Sequence, residues 1–308
     1  MTELSIVIPV YGCRSCLAAL HSRLSATLAA LTAQYEIVFV DDCSPDGAWP
    51  ELLELCRRDT RVRAYRFSRN FGQHAAITAG LEKCRGNWAV VMDCDLQDPP
   101  EEIPRLLQAA QGGLEVVFAR RKRRGHSALR RIAARAYFLA LNWFNRANAD
   151  GEYGAFSIIS RNVINAFLAV RDRDRHYLLI LFWLGFRNGE IEYEQSARHS
   201  GASAYTFGSL LKHALEGMFF QTTTLLRYIV YLGFAVSAAG AALACYYLYM
   251  YFSRSPLPGW TSLAVLILFI GGFIIMSTGI TGLYVGKIFE QVKGRPLYVI
   301  DAAANDTE

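Results

Sequence analysis

The chain has 308 residues, 53% of them apolar, with a formal net charge of +5 and a mean hydropathy of +0.18. That length affords a sizeable core, so composition excludes neither an enzyme nor a scaffold. The basic excess is crowded into 120–124, followed by Arg130, Arg131 and Arg135, and no zinc-finger, RNA-binding or basic-zipper pattern accompanies it. Nucleic acid therefore ranks last among partners, behind an anionic bilayer surface or a phosphorylated substrate.

Residues 1–3 run straight into a short apolar strand without a basic n-region, which argues against a cleaved secretory signal. Strand, loop and helix then alternate. Strands are expected at 4–10, 36–40, 62–67 and 88–92, and helices at 17–31, 49–58 and 74–83. Runs rich in Val, Ile and Phe alternating with helices predict an α/β fold with a mainly parallel sheet covered on both faces. Pro99-Pro100-Glu101-Glu102 reads as a helix start, since proline suits the first turn and acids favour its positive end. Further strands are expected at 114–119, 153–159 and 191–194, with helices at 133–144 and 178–186.

The character changes after Arg227. Residues 228–253 and 255–286 contain no Asp, Glu, Lys or Arg, and each is long enough to span a bilayer at about 1.5 Å of rise per residue. The expectation is a two-helix transmembrane hairpin with 1–204 as catalytic domain, 205–226 as a juxtamembrane amphipathic region, 227–286 as the spans and 287–308 as a tail. Lys212, Arg227, Lys287, Lys293 and Arg295 flank the hairpin, whereas its turn carries only Arg254. The positive-inside bias then predicts a multi-pass inner-membrane protein with domain and tail in the cytoplasm.

Seven cysteines form no paired framework. Cys13 and Cys16 have C-x-x-C spacing, but no second ligand pair follows, and reduced structural thiols are expected. Chemistry is better sought in the acids that fall past strand ends. Asp93 and Asp95 sit on one short turn, where both can approach a hard divalent ion such as Mg²⁺ or Mn²⁺, which neutralises a diphosphate leaving group. Asp41 and Asp42 either cap the next helix or accept hydrogen bonds from base or ribose, and Pro9, Val10 and Tyr11 form a neighbouring wall. Arg198 suits two-pronged contact with an oxyanion, with Gly201 permitting close approach. Arg120, Arg124 and Arg131 read as a phosphate-attracting arm. His74 and His126 lack ligand spacing and are expected to pack or hydrogen-bond.

Four segments, 5–11, 40–47, 69–76 and 93–101 (Asp-Cys-Asp-Leu-Gln-Asp-Pro-Pro-Glu), together with 198–205 and 294–298, resemble family 2 glycosyltransferases. Within that family the chain is similar to the polyprenyl-phosphate glycosyltransferases, the group that includes dolichyl-phosphate mannose synthase and bacterial undecaprenyl-phosphate sugar transferases. The resemblance implies a GT-A nucleotide-sugar domain and a nucleotide-sugar donor, with UDP the leading nucleotide. It also implies a polyprenyl phosphate acceptor at the lipid bilayer, and a homotetramer as a candidate assembly. Carried over, Asp93 and Asp95 are the acidic motif, Gln97 a partner of metal and phosphates, and Asp41 a nucleotide contact. Arg198 and Tyr205 hold the diphosphate or lipid phosphate.

Many relatives have Gly-Asp-Phe where this chain has Gly154-Ala155-Phe156. The carboxylate proposed there as a base is absent, and either Glu152 replaces it or no base is needed. A phosphate monoester has its second pKa near ~6 and is already a nucleophile at neutral pH. Extension of a glycan and an inactive nucleotide-sugar-binding scaffold are the competing readings.

Overall fold

The structure is a computed structural model that describes residues 2–122, 153–173, 175–196, 224–253 and 259–306. The helix expected at 133–144, nearly all of the amphipathic region at 205–226, and the residues Arg124, His126, Arg131, Glu152, Arg198 and Tyr205 lie outside the described residues.

The chain divides into two compact units. One comprises Met1–Phe138, Ala147–Ala204 and Arg295–Glu308; the other comprises Leu139–Arg146 and Tyr205–Gly294. The first is built on an eight-stranded sheet. Its strands are β1 (Leu4–Val10), β2 (Tyr35–Asp41), β3 (Val62–Phe67), β4 (Trp88–Val91), β5 (Val116–Arg121), β6 (Tyr153–Ser160), β7 (Asn188–Tyr193) and β8 (Ile300–Ala304). The order across the sheet is β7-β5-β6-β4-β1-β2-β3-β8.

Strands β4, β1, β2 and β3 run parallel, as the alternating pattern predicts. The sheet as a whole is mixed, because β6 lies antiparallel between β4 and β5, and β8 closes the far edge antiparallel to β3. Strands β1 and β2 are buried along their whole length, which is why they read as near-continuous apolar runs rather than alternating ones.

Helices α1 (Arg14–Ala29), α2 (Ala48–Arg58) and α4 (Ile103–Gln111) cover one face, packing Leu17, Leu20, Leu52 and Leu106 onto Ile6, Ile8 and Phe39. Helices α3 (Gln73–Lys83), α5 (Arg161–Ala169) and α6 (Tyr177–Leu184) carry buried side chains of the other face. Ser160 caps α5 by accepting the Val163 N–H at 3.4 Å, satisfying one of the donors a helix start leaves open. The segment expected at 178–186 is thus a packed helix of this unit. His74 behaves as a packing group, its Nδ1 accepting the Tyr177 N–H at 3.4 Å and its ring 4.4 Å from that of His176.

The second unit contributes α7 (Thr224–Ser253) and α8 (Trp260–Val292). Among the described residues, one stretch is long and apolar enough to cross a membrane: Phe269–Val292 in α8, 24 residues with a mean hydropathy of 1.6. This overturns the expected multi-pass inner-membrane placement. Helix α7 interleaves tyrosines with glycine, alanine and serine. In α8, Phe269, Ile275 and Val292 are exposed.

The C-terminal strand β8 is locked by charge as well as by pairing. Arg63, 5% exposed near the start of β3, donates to Glu36 at 3.0 Å and to Asp306 at 2.6 Å, and the Tyr65 hydroxyl donates to the same Asp306 oxygen at 2.6 Å. Glu36 in turn accepts from Ser5 Oγ at 2.7 Å and from the Arg85 N–H at 2.5 Å. Removing one member of a buried pair leaves an uncompensated charge. Arg63→Met is therefore expected to cost about 3–5 kcal/mol in denaturant unfolding, against a loss near zero if the network is ornamental.

Candidate active site

The parallel register brings four strand ends to one edge of the sheet. Val10 pairs with Asp41 across β1 and β2, and β4 lies on the other side of β1, so the turns after β1, β2, β3 and β4 meet there. Open α/β sheets bind ligands along that edge.

The first turn presents Pro9, buried in β1, and then Tyr11, which is 55% exposed. Ser44 ties this turn to the next one: its hydroxyl donates to the Val10 carbonyl and accepts the Gly12 N–H, both at 3.3 Å. Asp41 accepts the Ser44 N–H at 2.9 Å, and burial pushes its carboxyl above the ordinary carboxylate range despite that bond.

Asp42 has a different task. It is 3% exposed and accepts both the Phe71 N–H at 2.6 Å and the Gly72 N–H at 2.9 Å. The carboxylate thus clamps the loop after β3, where Gly72 at φ 97° supplies a backbone conformation that other residues rarely adopt. Beside this loop lies a cavity of about 290 Å³ lined by Arg69, Asn70, Phe71, Gly72, Arg173 and Leu297.

The clamp sets the start of α3, whose first residue reaches the acidic turn. Gln73 Nε2 donates to Asp93 Oδ1 at 2.7 Å. Asp95 accepts the Gln97 N–H at 3.1 Å and the Gln97 side-chain amide at 2.7 Å. Gln97 is held from the far side, its side-chain oxygen accepting from Gln195 at 2.6 Å and its carbonyl accepting the Ser196 N–H at 3.0 Å. Asp93, Asp95 and Gln97 are therefore assembled together, and Glu152, Arg198, Tyr205, Arg124 and Arg131 lie outside the described residues.

Two non-glycine residues with positive φ sit in the acidic turns: Cys43 at 55°, next to Asp42, and Leu96 at 62°, next to Asp95. Such conformations cost about 1–3 kcal/mol each and persist where the surroundings over-determine them. Cys94 lies between Asp93 and Asp95 and is disulfide-bonded to Cys13, with Cα atoms 6.3 Å apart. The bridge corrects the expectation of reduced thiols at Cys13, while Cys16, at C-x-x-C spacing, is buried and takes no part in it. Adjacency of β1 and β4 in the sheet, rather than proximity in sequence, decides the pairing.

Four residues of this edge carry no assigned role in the sequence reading: Gln73, Asp98, Arg121 and Tyr193. Gln73 and Asp98 stand inside the family-like segments. Arg121 sits in the basic run, but adjacent strand residues point to opposite faces. Arg120 pairs with Glu190 at 3.1 Å, whereas Arg121 Nη2 lies 3.7 Å from Asp98 Oδ1. Nothing in the local pattern of 188–193 marks Tyr193.

Electrostatics set the chemistry of the turn. Burial, then the neighbouring carboxylates Asp98 and Asp95, push the Asp93 carboxyl up to about 7, with Arg121 and the Gln73 hydrogen bond pulling the other way. Asp98 is fully buried, its carboxyl is also raised by burial, and one of its oxygens has no hydrogen-bond partner among the described residues. Two hard oxygen donors in a turn short of positive charge suit a divalent cation. Among the described residues no group of three or more His, Cys, Asp or Glu is arranged to hold a metal ion.

The sign of the Asp93 shift gives a direct test. A carboxyl raised above its unfolded value makes the fold favour the protonated form, so the ligand-free protein loses stability as pH rises from about 4 to about 7. Asp93→Asn is expected to raise the thermal midpoint at pH near ~8 and to match wild type near ~4. Equal midpoints across that range, read by scanning fluorimetry, would sink the assignment.

Residues 5–168 match the family model described as glycosyl transferase family 2. An uncharacterized glycosyltransferase of Synechocystis is 32% identical over 300 residues, covering 97% of this chain and 94% of the relative. The undecaprenyl-phosphate 4-deoxy-4-formamido-L-arabinose transferase of Pseudomonas fluorescens strain SBW25 is 35% identical over 305 residues, covering 96% and 88%. The bactoprenol glucosyl transferase of Shigella phage SfII is 31% identical over 301 residues, covering 97% of each. With an α/β domain of GT-A type and relatives that span nearly its whole length, the chain is a glycosyltransferase and belongs to glycosyl transferase family 2.

Proposed function

We propose that this enzyme transfers a sugar from a nucleotide-sugar, UDP-linked, to the phosphate of a polyprenyl phosphate, giving a lipid-monophosphate sugar with inversion at the anomeric carbon. The observation that carries the donor half is the acidic turn, where crowded and desolvated carboxylates face the edge used for ligands. The acceptor half is supported by the likeness to relatives described as undecaprenyl-phosphate and bactoprenol transferases.

Tyr11 offers an exposed ring to the base, and Asp41 lies behind it for the ribose or base. Asp42 acts at one remove, fixing the 69–72 loop and so the reach of Gln73 to Asp93. Asp93 and Asp95, with Gln97 beside them, are the residues that would hold Mg²⁺ or Mn²⁺. When bound, such an ion supplies neutralisation of the leaving diphosphate. Arg124, Arg131, Arg198 and Tyr205 are the groups assigned to the phosphates of donor or acceptor, whereas Arg120 is paired with Glu190 on the other face of β5.

The attacking atom is a phosphate oxygen, so the reaction needs alignment of two anions more than it needs a base. Ala155, half-buried in β6, brings no carboxylate to the site, in keeping with a nucleophile already ionised at neutral pH. Glu152 is the fallback base. The apolar stretch Phe269–Val292 is suited to keep the enzyme at the bilayer that holds the acceptor's tail.

Detergent-purified protein incubated with Mn²⁺, a short polyprenyl phosphate and a panel of UDP-, GDP- and dTDP-sugars is expected to yield a monophosphate-linked sugar lipid by mass spectrometry. Asp95→Ala should lower its rate by at least about 10²-fold, the scale of losing an electrostatic stabiliser. Products elongated on a glycan, with none on the lipid phosphate, would move the acceptor to a saccharide. Nucleotide binding without any turnover would favour the scaffold.

A further inference from the structure

Behind the acidic turn, the Tyr193 hydroxyl stands between two charged groups. It donates to Asp98 Oδ1 at 2.5 Å and accepts from Arg121 Nε at 3.2 Å. The ring is 2% exposed and lies edge-on to Phe156, with centroids 5.5 Å apart, so the hydroxyl has little freedom of its own. A buried tyrosine hydroxyl needs a partner, and here it has two.

Arg121 is held from three strands. Its own position is the last residue of β5, Tyr193 ends β7, and Gly154 in β6 leaves the space that the guanidinium fills. A Cβ added at Gly154 would stand 2.7 Å from Arg121 Nη2. The direct approach of Arg121 to Asp98, at 3.7 Å, is an ion pair without hydrogen-bond geometry. A closer, two-pronged pair would spend the arginine's charge on Asp98. A neutral hydroxyl between them fixes the direction of the guanidinium while leaving that charge to act on its surroundings, Asp93 among them.

We infer that Tyr193 is a positioning residue for sugar transfer: its hydroxyl orients the Arg121 guanidinium beside the Asp93–Asp95 turn, where a fixed positive charge opposes the charge developing on the donor's diphosphate. The inference rests on the donor reading proposed above. Tyr193 itself touches no reacting atom and works through Arg121. The arrangement also explains a buried carboxylate so near the acidic turn, since Asp98 is what anchors the tyrosine.

Tyr193→Phe keeps the packed ring and removes only the hydroxyl. Turnover is expected to fall about tenfold with the donor KM within about twofold, because the interaction matters where charge develops. In an Arg121→Met background the same change should cost less than about twofold more, the non-additivity of residues acting as a unit. Arg121→Lys, which keeps the charge but has no Nε donor for Tyr193, should lose about as much turnover as Tyr193→Phe and serves if the tyrosine variant does not fold. Unchanged turnover in either single variant, or a full tenfold further loss in the Arg121→Met background, overturns the inference.

A third readout needs no substrate. Labelling of Arg121 by phenylglyoxal, followed by peptide mass spectrometry, should quicken at least threefold when the tyrosine hydroxyl is removed, as Arg121 gains freedom. Unchanged labelling overturns the positioning role whatever the reaction. Absence of any sugar-lipid product from wild type, with quickened labelling in Tyr193→Phe, overturns the proposed reaction and leaves the held arginine standing.

Discussion

Crowding of Asp93, Asp95 and Asp98 into one turn is the constraint around which the catalytic unit is arranged. Like charges in a desolvated turn repel, and the fold answers with a ring of donors from distant parts of the chain. Gln73 comes from the start of α3, Gln97 from the turn itself, Tyr193 from the end of β7, and Arg121 from the end of β5. None of these donors fully neutralises the turn, since the Asp93 carboxyl remains pushed up to about 7 by burial and by Asp98 and Asp95. Crowding that is only partly neutralised costs stability in the ligand-free protein as pH rises through the raised Asp93 carboxyl.

Holding those donors in place is a matter of the sheet. Parallel pairing of β4, β1, β2 and β3 aligns the turns, and antiparallel insertion of β6 between β4 and β5 brings Gly154 against Arg121. At the far edge, β8 pairs with β3, and Arg63 bonds both Glu36 inside the sheet and Asp306 beyond the strand. The residues past the long helix α8 therefore complete the first unit's edge rather than trail from it. An edge strand covered in this way no longer offers its hydrogen-bonding groups to another chain.

Much of this was legible in the residues. Strands β1 to β4 and the helices between them follow from apolar runs and helical spacing, because burial on both faces makes a parallel strand read as continuous hydrophobicity. Asp41, Asp42, Asp93 and Asp95 stand out in the sequence because acids directly after such strands are costly unless used. What escaped notice depends on the third dimension. Arg120 and Arg121 are neighbours in sequence and differ only in which face of β5 they occupy. Cys13 finds Cys94 because β1 lies beside β4. The strand at 300–304 carries a plain Ile-Asp-Ala-Ala-Ala sequence, and its hold on the sheet comes from Arg63, far away along the chain, bonding Asp306 just past the strand. In the second unit, two charge-free segments predict two spans, whereas among the described residues one stretch is long and apolar enough to cross a membrane.

The missing acid at Ala155 bears on how such a site works. In a transferase whose acceptor is a hydroxyl, a base must take a proton as the bond forms, and its loss would remove a factor of about 10²–10⁴. A phosphate acceptor arrives with that proton already gone, and the difficulty moves to bringing two polyanions together. The groups that then matter are cations and the residues that aim them, a demand met by an arginine fixed through a neutral hydroxyl better than by one free to collapse onto the nearest carboxylate. On the proposed reaction, an alanine on β6 and an oriented arginine on β5 answer one requirement, electrostatic alignment in place of proton transfer.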